Sequence, residues 1–228
     1  MKKLLSKIFV VMLYFVIPYY TIIILNTFKI DEKIGLVIQM IVNFILLFTV
    51  IKVLKKTLKK EYSIFKRNKF KYLKQGLGIF VIGLLLYYVA TFVIHMLFPI
   101  LFDIDQNYNI MLSNFKKVPI LLVINTIFYY PVIEELVFKS IFKDTIKNKW
   151  TFVIITGLLI AFFQTIFSST NYISYLLLIP RLIIGMTFSY MYYKTKNVFT
   201  PIIYRMAYNL LLNIANLIIL FQVISRVI

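Results

Sequence analysis

The chain contains no cysteine, and that absence removes disulfides, thiol catalysis and thiolate metal sites together. It has a single histidine, His95, so a zinc site built from several imidazoles is excluded as well. Charge is scarce and one-sided: 15% of the 228 residues are charged, with 26 Lys and Arg against 8 Asp and Glu. A soluble domain carries charge on about a quarter of its residues. What fills the chain instead is apolar, 61% hydrophobic residues with a mean hydropathy of +0.89. So much apolar surface cannot be hidden inside a water-soluble fold of this length. Soluble enzymes, secreted disulfide scaffolds and disordered tails are thereby excluded. A nucleic-acid binder needs a soluble basic patch, whereas here the positive charges sit in short clusters between long apolar runs. No nucleic-acid partner is expected, and the chain reads as a polytopic membrane protein.

A helix needs about 20 apolar residues to cross the hydrocarbon core. Seven segments qualify: roughly 8–28, 34–54, 77–102, 118–142, 151–170, 173–193 and 198–222. The expected fold is therefore all-α, a transmembrane helical bundle of about seven spans. Its start, Met1-Lys2-Lys3-Leu4-Leu5-Ser6-Lys7, mimics a signal peptide. The apolar run then continues to about Phe28 without a small-residue cleavage site, so it reads as a retained first span. The wealth of Ile, Lys, Asn, Phe and Tyr is a compositional hint of an AT-rich bacterial gene, and the expected location is a bacterial cell membrane.

Orientation follows from the excess of Lys and Arg in cytoplasmic connections. Lys2, Lys3 and Lys7 precede span one, and ten basic residues from Lys52 to Lys74 lie between spans two and three. Lys139, Lys143, Lys147 and Lys149 follow span four, and Lys194 and Lys196 follow span six. The alternate connections and the C-terminus hold only Lys29, Lys33, Lys116, Lys117 and Arg226. The N-terminus is expected inside and the C-terminus outside. Residues 1–76 read as two spans plus a basic cytoplasmic loop, and 77–228 as the helical core. The connection 55–76 carries interleaved Tyr62, Phe65, Phe70 and Tyr72. It reads as an orienting loop, or as an amphipathic helix lying on anionic headgroups. Membrane lipid is an expected partner.

Ionisable groups within spans are costly and mark function by default. Six of the acids (Asp31, Glu32, Glu61, Asp103, Asp105 and Asp144) lie in connections or at span ends. The other two are adjacent, Glu134-Glu135, inside span four. Glu134 lies about eight residues from the inner end of its span, about 12 Å deep at 1.5 Å per residue. Arg205 lies about equally deep in span seven, with Asn209 one turn further on the same face. Lys139 is i+4 from Glu135 and can pair with it. Spans four and seven, with Arg181 of span six, thus converge on one buried polar cluster, while His95 lies far from that depth. Two crowded carboxylates suit water activation as acid and base. An ion-pair network of Glu134, Glu135, Lys139 and Arg205 that holds helices together explains the same charges without chemistry.

At these residues the sequence resembles the CAAX-protease and bacteriocin-processing (CPBP, or Abi) family of membrane proteins. Glu134-Glu135-Leu136-Val137-Phe138-Lys139 is similar to that family's Glu-Glu-x-x-x-Arg signature, with Lys139 for the Arg and Ser140 for a following Gly. Gly185, Tyr192-Tyr193-Lys194-Thr195, Pro201, Arg205 and Asn209 keep the order and spacing of the family's third motif, with Arg205 in place of its histidine. The second motif, Phe-x-x-x-His, belongs on span five, where Ile160-x-x-x-Gln164 and Phe163-x-x-x-Phe167 are the candidates. Neither supplies a histidine. The resemblance covers about 118–213.

The resemblance implies an intramembrane peptidase with Glu134 as base, Glu135 as its partner and Asn209 as a stabiliser of the developing oxyanion. With both histidine positions lost, the proton shuttle near neutral pH is missing. No ligand set beyond carboxylates remains, so no metal and no cofactor are expected. Arginine cannot deprotonate in the place of imidazole, although it can stabilise an anion. A degenerate, non-cleaving member is the expected state. The alternative is a non-enzymatic bacteriocin-immunity or regulatory protein whose spans bind a peptide or another membrane protein. A small transporter subunit would show an inverted repeat, and none is visible. Pro131, Pro180 and Pro201 read as kinks or helix starts. Gln164, Asn213 and Asn216 read as hydrogen-bonding glue between helices.

Overall fold

The computed structural model describes residues 2–99, 118–166 and 172–214 of the chain. Within them the protein is built from seven helices: α1 (Lys2–Thr27), α2 (Glu32–Arg67), α3 (Lys69–Leu97), α4 (residues 119–140), α5 (Lys149–Ile166), α6 (Leu178–Thr195) and α7 (Phe199–Leu212). A 3-10 turn, Phe142–Asp144, follows α4, and another, Tyr172–Leu177, leads into α6. The solvent logic is that of a bilayer. Large apolar side chains such as Phe48, Leu85 and Phe92 face outward, while Glu134, Glu135, Lys139 and Arg205 are buried, because charges at membrane depth turn toward the bundle interior. The chain is a multi-pass membrane protein.

Five stretches are long and apolar enough to cross a membrane: Phe9–Thr27, Glu32–Arg67, Lys69–Leu97, Ile120–Lys139 and Tyr175–Thr195. The other two expected spans coincide with α5 and α7. Their described parts are 18 and 14 residues long; the remainder of the two expected spans, 167–170 and 215–222, lies outside the described residues.

The connection expected over 55–76 is not a loop. α2 runs for 36 residues, about 54 Å, and α3 begins directly after Asn68. No glycine or proline stands between Gly35 and Gly76 to interrupt the helices. Leu54, Glu61 and Phe65 are buried at helical spacing, with Leu58 half-buried between them, and this stripe holds the basic end of α2 against the bundle. The helix begins where Asp31 accepts the backbone N–H groups of Lys33 and Ile34, at 3.0 and 3.3 Å, an N-cap arrangement.

α4 occupies the centre. Its Tyr129, Ile133, Leu136, Val137 and Phe138 form one core with Leu46, Val50 and Leu54 of α2, Val10 of α1, Phe152 and Ile160 of α5, and Ile202 of α7. A second cluster joins Phe80 of α3, Ile184, Phe188 and Met191 of α6, and Tyr208 of α7. α5 and α6 approach closely at Gly157 and Gly185. A Cβ on Gly185 would lie 2.9 Å from the Gly157 carbonyl oxygen, so the contact requires glycine there. Thr156 Oγ1 donates to Ser189 Oγ across the same seam at 2.8 Å.

Candidate functional site

Helix α4 is irregular where it carries its acids. Ordinary helical turns give way to π turns at Asn125–Tyr129 and Leu136–Ser140, on either side of Tyr130–Glu135. Such turns occur frequently at functional sites. The first has a covalent cause. The Tyr130 N–H reaches back to the Asn125 carbonyl, and the next π-type donor, to Thr126, would be residue 131. That residue is Pro131, which has no N–H. The Thr126 carbonyl is left without a helical donor, and Asn209 Nδ2 of α7 donates to it at 2.7 Å. Asn125 is tied to α2, its Oδ1 accepting from Asn43 Nδ2 at 3.4 Å.

One turn beyond Pro131 stand the two carboxylates, both pairing with one guanidinium. Arg205 Nη1 donates to Glu135 Oε1 at 2.9 Å, and Arg205 Nη2 pairs with Glu134 Oε2. Lys139 Nζ donates to the same Glu135 Oε1 at 2.6 Å. Glu135 and Lys139 are fully buried, and Glu134 and Arg205 nearly so. Two anions and two cations make the set neutral, as burial demands. Gln164 Nε2 of α5 adds a bond to Glu134 Oε2 at 3.2 Å. Arg181 Nη1 donates to Gln164 O at 2.8 Å and to Thr165 Oγ1 at 3.1 Å, so α6 joins the cluster at one remove. The Arg205 guanidinium also lies 5.6 Å from the Phe188 ring centre, within cation–π range.

The two acids face different surroundings. A cavity of about 610 Å³ opens among α1, α2, α4, α5 and α7, and Glu134, Gln164, Thr126 and Asn209 contribute to its polar wall. Tyr14, Phe15, Ile160 and Phe163 make an apolar wall. Glu135, Lys139 and Arg205 do not line it. Glu134 is therefore the carboxylate that can meet a molecule in the cavity. Glu135 is enclosed by helix packing, and its Oε2 has no hydrogen-bond partner among the described residues.

The donor set does not suit a divalent cation. Among the described residues no three His, Cys, Asp or Glu side chains come together. Both carboxylates already face cations, so a metal ion at Glu134 would sit beside the Arg205 charge.

The sequence-derived residues fall as follows. Glu134, Glu135, Lys139 and Arg205 form one network, and Asn209 reaches the same cavity through the Thr126 carbonyl. Of the two candidates for the second motif, it is Gln164 that touches Glu134; Phe167, like Asn216, lies outside the described residues. His95 is on α3, its Nδ1 2.8 Å from the Thr91 carbonyl. Glu61, counted from sequence among the acids of the connections, is a buried anchor. Its Oε2 accepts the Val198 N–H at 2.7 Å and its backbone carbonyl accepts Asn197 Nδ2 at 2.7 Å. Its Oε1 pairs with Lys143. A carboxylate thus caps the start of α7, seven residues before Arg205. The available signal was isolation: Glu61 is the one acid between Glu32 and Asp103.

Comparison with known proteins agrees with the motifs. The model of the family described as type II CAAX prenyl endopeptidase Rce1-like matches residues 116–211. No curated protein and no solved structure matches the chain.

Proposed function

We propose that residues 116–211, which are a domain of the Rce1-like type II CAAX prenyl endopeptidase (CPBP/Abi) family, form a member of that family whose hydrolytic step is weak or lost and whose cavity binds. The observation that carries this reading is the double engagement of Arg205 with Glu134 and Glu135. Arg205 stands at one motif-histidine position and Gln164, which also bonds Glu134, at the other. A general base must accept a proton and return it. Here one Glu134 oxygen, Oε2, is held by a permanent cation and an amide, and neither can relay a proton. The cavity keeps the form of a binding site, mostly apolar with a few convergent polar groups.

The bound molecule in this reading is a membrane peptide or an apolar segment of a partner protein. The biological role is immunity to a bacteriocin-like peptide, or regulation, in a bacterial cell membrane with the N-terminus in the cytoplasm. The basic ends of α2 and α3 support that orientation by the positive-inside rule. One observation favours the second reading, an active intramembrane peptidase: of the two acids, Glu134 alone faces the cavity.

Cells expressing the chain and challenged with membrane-active bacteriocin-type peptides distinguish the two. Under the binding reading Glu134→Gln, which keeps the size and an acceptor for Arg205, retains protection. Ile22→Trp, which fills the cavity from an exposed position on α1, abolishes it. Loss of protection in Glu134→Gln at unchanged protein level favours catalysis instead.

A further inference from the structure

A second pocket, about 370 Å³, lies between the turn after α4 and the end of α6. Its lining includes Lys143, Lys147 and Lys196 with Phe152, Tyr192 and Tyr193, and no carboxylate among the described side chains. Glu61 stands behind it, paired with Lys143, so the pocket keeps the excess charge of two exposed lysines, Lys147 and Lys196. Lys196 ends α6 in the left-handed region, φ 52° and ψ 30°. Glycine or asparagine is usual in that conformation, so a lysine there carries some backbone strain, as Lys29 also does just after α1. Its ammonium lies 3.5 Å over the Tyr193 ring, and partial burial pushes its pKa down.

The surroundings have the composition of a membrane–water boundary. Trp150 stacks on Tyr190 with ring centres 6.4 Å apart, and Lys149 lies 4.4 and 4.6 Å from the two ring centres. Trp, Tyr and Lys together at the ends of spans are the usual interfacial anchors. Basic pockets between helices at that level hold anionic headgroups.

We propose that this pocket binds a phosphate group, carried by an anionic lipid headgroup or free in solution, with Lys147 and Lys196 as its principal cations. The proposal is independent of the chemistry at Glu134. The test uses the full chain purified in a neutral detergent, with thermal unfolding as the readout. Short-chain phosphatidylglycerol, short-chain phosphatidylcholine, and inorganic phosphate against chloride at equal ionic strength are the probes. The melting temperature is expected to rise with phosphatidylglycerol and not with phosphatidylcholine. If phosphate alone raises it equally, the occupant is the free anion; if only phosphatidylglycerol does, it is the lipid.

The double variant Lys147→Gln/Lys196→Gln should raise the ligand concentration needed for a given shift by roughly fivefold for each lysine removed. The single Lys147→Gln, at an exposed position, supplies the same test should the double variant fold poorly. Lys56→Gln/Lys60→Gln removes equal charge from exposed positions on α2 and should leave the response unchanged. An unaltered response in the pocket variants, or an equal loss in the α2 variant, overturns the proposal.

Discussion

The side-chain amide of Asn209 donates to the Thr126 carbonyl at 2.7 Å, the carbonyl that Pro131 leaves without its helical donor. This bond ties α7 to the irregular turn of α4 that precedes the carboxylates. It also gives Asn209 a positioning task that needs no substrate.

The first prediction follows from that bond. Asn209→Leu leaves the carbonyl unsatisfied and should cost about 1–3 kcal/mol, read as a lower melting temperature of the purified chain. Pro131→Ala restores an N–H to the turn, so it should recover part of the loss when combined with Asn209→Leu. Strict additivity of the two changes would contradict the proposed cause of the π turn.

Glu61 is expected to matter more than its basic neighbours. Removing a capping side chain costs about 0.5–2 kcal/mol, and Glu61→Ala also takes the partner from Lys143. The variant should melt at lower temperature, whereas Lys59→Ala and Lys60→Ala, at exposed positions, should not.

The two carboxylates should differ. Glu135 pairs with both Lys139 and Arg205, so Glu135→Ala strands a buried ammonium. Breaking a buried pair costs about 3–5 kcal/mol. Glu134→Ala leaves Arg205 with Glu135 and opens toward the cavity, so membrane accumulation should fall less. Reversal of that order would mean that Glu134 is the structural member.

Much of this cluster was legible in the sequence because helical arithmetic is local. The i+4 spacing gave the Glu135–Lys139 pair, and equal depth in two spans gave the meeting of Glu134 with Arg205. The role of Asn209 was not legible, since it depends on a carbonyl freed by Pro131 on another helix. Proline alone reads as a kink. Glu61 was hidden by its company: next to Lys59 and Lys60 it looks like an acid in a solvated loop. Only the packing of α2 against the α6–α7 turn reveals that it is buried. The continuity of α2 and α3 was in principle readable from the lack of breakers, but the density of lysines argued for a connection.

Topology can be tested directly because the chain has no cysteine. Single cysteines at Asn68 and Lys147 should be shielded from an impermeant thiol reagent in intact cells. Cysteines at Asp105 and Ser169 should react. Labelling at Asn68 from outside would contradict the charge argument.

The central proposal is that Arg205 and Gln164, at the two positions proposed for imidazoles, leave Glu134 unable to activate water. It is tested most directly by reconstituting the purified chain and the double variant Arg205→His/Gln164→His into liposomes with candidate membrane peptides, and reading products by mass spectrometry. The account predicts no cleavage by the unmodified chain, with or without a chelator, and makes the double variant the one route to a gain of cleavage. Cleavage by the unmodified chain that disappears in Glu134→Gln would contradict it, and would mean that a carboxylate pair with an arginine suffices.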